Sequence, residues 1–90
     1  MMRIFVLNGK SMTSREEAYA VIARKLHFPE WFGKNLDALA DCLGELRSGS
    51  VILFRNTDAL AEQLGDYGEK LLACFRDCAR ETGIRLIEKN

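Results

Sequence analysis

The chain reads as an α/β domain built on a parallel sheet, and two observations predict it. Three short apolar runs, RIFVL at Arg3–Leu7, VILF at Val51–Phe54 and IRLI at Ile84–Ile87, are β-prone and too brief for helices. The stretches between them place apolar residues at helical spacing and open on capping signals. Strands that alternate with helices imply parallel pairing through right-handed crossovers. Three strands and about four helices fill 90 residues as a single domain over 1–90.

The elements follow in order. Asn8-Gly9 is a turn pair that closes the first strand. Ser14 with Glu17 forms a capping box and opens a helix to about Leu26, with Ala18, Tyr19, Ile22, Ala23 and Leu26 inward. Pro29 ends that helix or starts a short turn. Gly33 and Asn35 then punctuate the chain, and Asn35 is a good N-cap for the next helix, with Asp37 in its favoured first turn. Leu36, Leu39, Leu43 and Leu46 fall on one side of that helix at core spacing. After the second strand, Thr57 caps a short helix to Leu64, and Asp66 with Glu69 makes a second capping box for a helix to about Glu81. Leu71, Leu72, Phe75, Cys78 and Ala79 form its inner face, and Gly83 suits the position just past its end.

Composition excludes several classes. A formal net charge of zero does not suit a basic nucleic-acid binder. No apolar run reaches the ~20 residues that span a bilayer, and the N-terminus shows no secretory signal, so a cytoplasmic location is expected. Three cysteines, an odd number, suit reduced thiols in a reducing compartment. Cys74 and Cys78 share a helical face, but His27 is the sole histidine and lies far off in sequence, so neither a metal nor a cofactor is expected. His27 reads as a helix-end or surface residue. Cys42 lies beside Asp41 and near Glu45, and such neighbours raise a thiol pKa, which argues against a nucleophile. Two carboxylates one helical turn apart could serve a glycosidase, but nothing else suggests a sugar site. No enzyme is expected.

The informative stretch is Phe28–Leu46. Asp37, Asp41 and Glu45 recur every four residues and stack on one helical face, opposite the leucines. Like charges at that spacing cost roughly 0.2–0.5 kcal/mol per pair. Either this is a solvated helix face, or it awaits a positively charged partner. The run Pro29, Glu30, Trp31, Phe32, Gly33, Lys34, Asn35, Leu36, Asp37, Ala38, Leu39, Ala40, Asp41, Cys42, Leu43 resembles the signature of the barstar family, small inhibitors of the ribonuclease barnase. A strand ending in Asn8-Gly9 and a late Phe75-Arg76-Asp77 extend the resemblance along the chain.

That resemblance implies a three-stranded parallel sheet of order 1-2-3 packed with helices, and a protein that plugs a ribonuclease active site. Carboxylates can stand in for RNA phosphates because arginine pairs with both anions in the same forked geometry. By the same resemblance, Asp41 enters the phosphate site, and Asp37 meets a basic residue at the cleft edge. Trp31 packs on the enzyme's catalytic histidine while Phe32 turns inward, and Gly33 and Asn35 reach the partner through backbone or amide. Asp77 meets basic residues at the rim. Ala40, between the two aspartates, and Glu45, at the end of the acidic row, complete the candidate partner-binding set.

The chain departs from the family at the periphery. Ala40 stands where a tryptophan is frequent, Leu46 replaces another, and Lys34 replaces an acid. Ala40 and Gly44 beside Asp37 make a smooth ledge. The expected function is inhibition of a basic, barnase-like or toxin ribonuclease by a monomeric, cytoplasmic immunity protein or antitoxin, with no direct nucleic-acid or membrane contact, and the peripheral departures suggest a cognate enzyme different from barnase. The alternative is a same-fold adaptor that binds another basic protein.

Overall fold

The computed structural model describes residues 3–90. Its strands are β1 (Ile4–Asn8), β2 (Val51–Arg55) and β3 (Arg85–Glu88), and its helices are α1 (Arg15–Leu26), α2 (Leu36–Gly44), α3 (Thr57–Leu64) and α4 (Asp66–Glu81). A 3₁₀ turn at Gly9–Ser11 follows β1. The sheet is parallel throughout in the order β1-β2-β3, as the resemblance implied. Register aligns Ile4 with Val51 and Arg85, and Val6 with Leu53 and Ile87.

Alternation along the strands separates two sheet faces. Phe5, Leu7, Ile52 and Phe54 are buried among Ile22, Leu39, Leu43, Leu71 and Phe75 from the helices. The opposite face is more open: Ile4 is 63% and Val6 41% exposed. Phe54 and Phe75 meet edge to face at 5.2 Å, which fastens α4 to the central strand.

Ser14 caps α1 as expected, its hydroxyl accepting from Glu17 N–H at 3.1 Å. The helix ends on His27 in the left-handed conformation, and the N–H groups of His27 and Phe28 both reach Ala23 O, the latter at 2.9 Å, so one end carbonyl takes both bonds. His27 is thus the exposed helix-end residue the sequence suggested.

Two expectations about helix starts are corrected. Thr57 is not the cap of α3 but its buried first residue; Asn56 is the cap, with φ 56°. Thr57 is used otherwise, its hydroxyl donating to Asn90 Oδ1 at 2.7 Å and its N–H to Lys89 O at 3.1 Å, which ties down the chain after β3. Asp66 is likewise inside its helix, because the single residue Gly65 joins α3 to α4 and is itself the cap, with no side chain to offer. Gly83 does lie just past the end of α4, after the cap Thr82, but without a left-handed φ. Thr82 ends α4 in an extended conformation, its N–H and hydroxyl both reaching Cys78 O. Glycine is required at 83 because a Cβ there would collide with the Ser48 side chain.

Arg76 on α4 grips Glu88 on β3 through two hydrogen bonds of 2.9 and 2.7 Å. The hydrogen bond from Arg76 holds the Glu88 carboxyl below its ordinary range. Gly68 lies where α4 crosses α3, and a Cβ there would sit 2.7 Å from the Leu60 carbonyl oxygen. Backbone cannot rotate aside, so Gly68→Ala should force the helices apart. Overpacking costs ~1–3 kcal/mol, against ~1 kcal/mol gained from alanine's helix propensity. A net loss is expected, read as a lower urea midpoint; an unchanged midpoint would mean that the helices separate freely.

Candidate functional site

The chain from Phe28 to Asn35 is a loop with one buried residue. Phe32 N–H donates to Pro29 O at 3.0 Å and closes a tight turn. Phe32 is 6% exposed and packs on Phe28 at 5.2 Å and Tyr19 at 5.8 Å. With Phe32 so fixed, Trp31 is turned to solvent and is 77% exposed. Phe32 turned inward and Trp31 turned outward are the orientations expected.

Asn35 joins this loop to α2. Its Oδ1 accepts from Ala38 N–H at 2.7 Å and its Nδ2 donates to Gly33 O at 3.3 Å. One carboxamide thus caps the helix and ties back the turn that carries Gly33 and Lys34. Lys34 takes a left-handed φ of 53° and is exposed.

Leu39 and Leu43 bury the inner side of α2, and Asp37, Ala40 and Asp41 are left on its outer side. Glu45 is not within the helix but is its C-cap, at φ −91°. The three acids also drift around the helix, since four residues overshoot one turn of 3.6. Asp37 borders a groove of about 480 Å³ between α2 and α4, whereas Glu45 borders a separate cavity of about 240 Å³ near His27 and Phe28. Asp41 lies between them along the helix. The row read from the sequence is therefore a fan of carboxylates.

The groove corrects the expected ledge. Ala40 and Gly44 do stand beside Asp37, but α4 supplies a second wall with Ala73, Cys74 and Asp77. Asp37 and Asp77 border the same groove, which their separation of forty residues did not reveal. Burial, then Cys78, Asp77 and Asp37, push the Cys74 thiol up to about 11. Burial, then Glu45 and Asp41, push the Cys42 thiol up as well. Neither is poised as a nucleophile.

Charge compensation is uneven. Asp77 pairs with Arg80 one turn along α4. The other ion pair among the described residues is Arg76–Glu88, so Asp37, Asp41 and Glu45 have no cationic partner. Sequence reasoning missed that distinction; the spacing Asp77 to Arg80 was its available signal.

The structure is a small parallel α/β fold that presents an acid-faced helix after an aromatic loop. The sequence model described as Barstar (barnase inhibitor) matches residues 2–88. The chain belongs to the Barstar family. It is also 30% identical over 81 residues, 89% of each chain, to the Bacillus subtilis (strain 168) protein named "Putative ribonuclease inhibitor YrdF".

The capping role of Asn35 can be separated from its tie to the loop. Asn35→Ala should cost ~1 kcal/mol, the usual scale for losing an N-cap side chain. Asn35→Asp keeps the acceptor and should hold most of that stability, while losing the bond to Gly33 O. Urea unfolding of the three proteins checks this, and equal losses in both variants would assign the effect to the loop bond.

Proposed function

We propose that the chain inhibits a basic ribonuclease by occupying its active-site cleft with α2 and the Trp31 loop. The observation that carries the reading is that, among the described residues, Asp37, Asp41 and Glu45 make no ion pair, on a helix whose leading loop holds a tryptophan that is 77% exposed. Such a surface offers anions to bidentate arginines and a large aromatic body to a pocket, a pairing typical of strong interfaces. The family description and the name of the Bacillus subtilis relative support the same reading. Inhibition is steric and electrostatic, with no catalysis and no cofactor. The protein acts as one domain, a monomer when free, in the cytoplasm as an immunity protein or antitoxin, and it touches neither nucleic acid nor membrane. No described helix is long and apolar enough to cross a membrane.

Asp41 is the phosphate mimic, Asp37 the contact at the cleft edge, and Trp31 the aromatic contact. Gly33 and Asn35 present backbone and amide, Ala40 leaves room beside the acids, and Glu45 and Asp77 lie at the margins. A same-fold adaptor for another basic protein is the second reading, favoured by the open groove at Ala40 and by the exposed cation of Lys34.

Asp41 is exposed and makes no ion pair among the described residues, so Asp41→Ala should leave the fold intact. Inhibition of the ribonuclease that co-purifies with the chain from its own cell should weaken by about 2–5 kcal/mol, the cost of stranding buried charge on the enzyme. The barnase–barstar complex itself sets the upper part of that scale. A loss below about 0.5 kcal/mol, well short of the scale for a buried charge pair, would remove Asp41 from the centre of the interface, and a partner without ribonuclease activity would favour the adaptor.

Lys34 sets partner choice. Lys34→Glu should speed association with barnase at low salt and little at high salt, because a rim charge acts on the encounter. The gain should be about 1 kcal/mol or less at an exposed position. Stopped-flow association of both proteins with barnase measures it. Identical rates at low salt would put Lys34 outside the contact zone.

A further inference from the structure

The two edges of the sheet are treated differently. On β3, Glu88 belongs to the outer edge, and Arg76 covers it with a two-pronged ion pair. A charged pair on a short strand is a common way to block further strand pairing. β1 has no such guard. Arg3 O accepts from Val51 N–H at 2.8 Å, so the peptide groups of Arg3, Phe5 and Leu7 face β2. Strand alternation then turns those of Ile4 and Val6 outward. Among the described residues, no backbone hydrogen bond from a turn, loop or cap reaches them.

A cleft of about 400 Å³ runs beside this edge, lined by Arg3, Ile4, Phe5, Val6, Lys25 and His27. It holds two formal cations and no carboxylate. The Arg3 guanidinium lies 5.5 Å from the Phe5 ring centroid, which steadies it near the strand. Ile4 and Val6 leave apolar side chains at alternate positions, as strand addition requires.

We propose that the free edge of β1 docks an extended acidic segment of a partner protein, added to the sheet as a fourth strand. Main-chain groups of Ile4 and Val6 supply the hydrogen bonds, and Arg3 and Lys25 select acidic side chains. Charge favours this occupant over a second copy of the chain, because pairing β1 with β1 would gather both sets of Arg3 and Lys25 along one seam. The surface is separate from Asp37, Asp41 and Trp31, so it can be tested without any ribonuclease.

The probe is a fluorescein-labelled peptide of alternating valine and glutamate, read by anisotropy with the full chain. Saturable binding is expected, at least tenfold tighter than for the peptide with lysine in place of glutamate. Val6→Pro removes an outward N–H without touching the β1–β2 ladder, and proline is tolerated on such an edge. It should weaken binding tenfold or more, while circular dichroism stays unchanged. Should that variant fail to fold, a peptide N-methylated at alternate residues tests the same bonds against the unaltered protein, and Lys25→Glu tests the charge. Equal binding of acidic and basic peptides, or indifference to both Val6→Pro and N-methylation, would overturn the proposal. So would a β1-dependent dimer, abolished by Val6→Pro in light scattering, that excludes the peptide.

Discussion

The carboxamide of Asn35 holds two backbone groups that would otherwise lack partners, one at the start of α2 and one in the loop before it. A helix of nine residues is too short to persist on its own. It is held from below by Leu39 and Leu43 and at its start by this one side chain. The loop has little core of its own beyond Phe32. Loop and helix therefore keep their relative placement because a single planar group bonds to both. If the acids of α2 and Trp31 engage one partner, they do so as a rigid unit assembled before contact, which lowers the ordering cost of binding.

The same helix carries an electrostatic cost that the rest of the fold relieves elsewhere. Arg80 answers Asp77, and Arg76 answers Glu88. Nothing answers Asp37, Asp41 or Glu45 among the described residues. Net neutrality of the chain thus conceals a local concentration of negative charge, since α2 and its C-cap carry three acids and no basic residue. Asp37 gains from the helix dipole near the N-terminus, whereas Glu45 sits at the C-terminal end, where that dipole opposes it. Local stability alone would not favour that placement.

Sequence periodicity sufficed for the strands and helices because each apolar run is short and each helix amphipathic. Leu39 and Leu43, Phe5 and Leu7, and Leu71 and Phe75 all point where their spacing says. Sheet order came from the family resemblance, since periodicity does not order strands. Helix starts were harder to read. Thr57 and Asp66 have the chemistry of caps, but the residue before each takes the position: Asn56, held by a bond from its side chain to the distant Asn8, and Gly65, which turns the chain between α3 and α4. Gly83 stands just past α4 as its residue type suggests, but the Ser48 packing that requires glycine there is a contact between distant segments. The groove joining Asp37 to Asp77 was hidden for the same reason. Those features depend on tertiary approach, which local propensity does not encode.

Trp31 is the chain's one tryptophan, and the fold leaves it almost wholly in water. The optical consequence is unusual for a small domain. Its indole emission senses solvent both before and after the core melts, so tryptophan fluorescence is a poor witness of unfolding here. The buried rings are Phe5, Phe32, Phe54, Phe75 and Tyr19, none of which contributes at tryptophan wavelengths. Anything that dries Trp31 would therefore register as a blue shift against a silent background, giving the loop a built-in spectroscopic channel separate from the core.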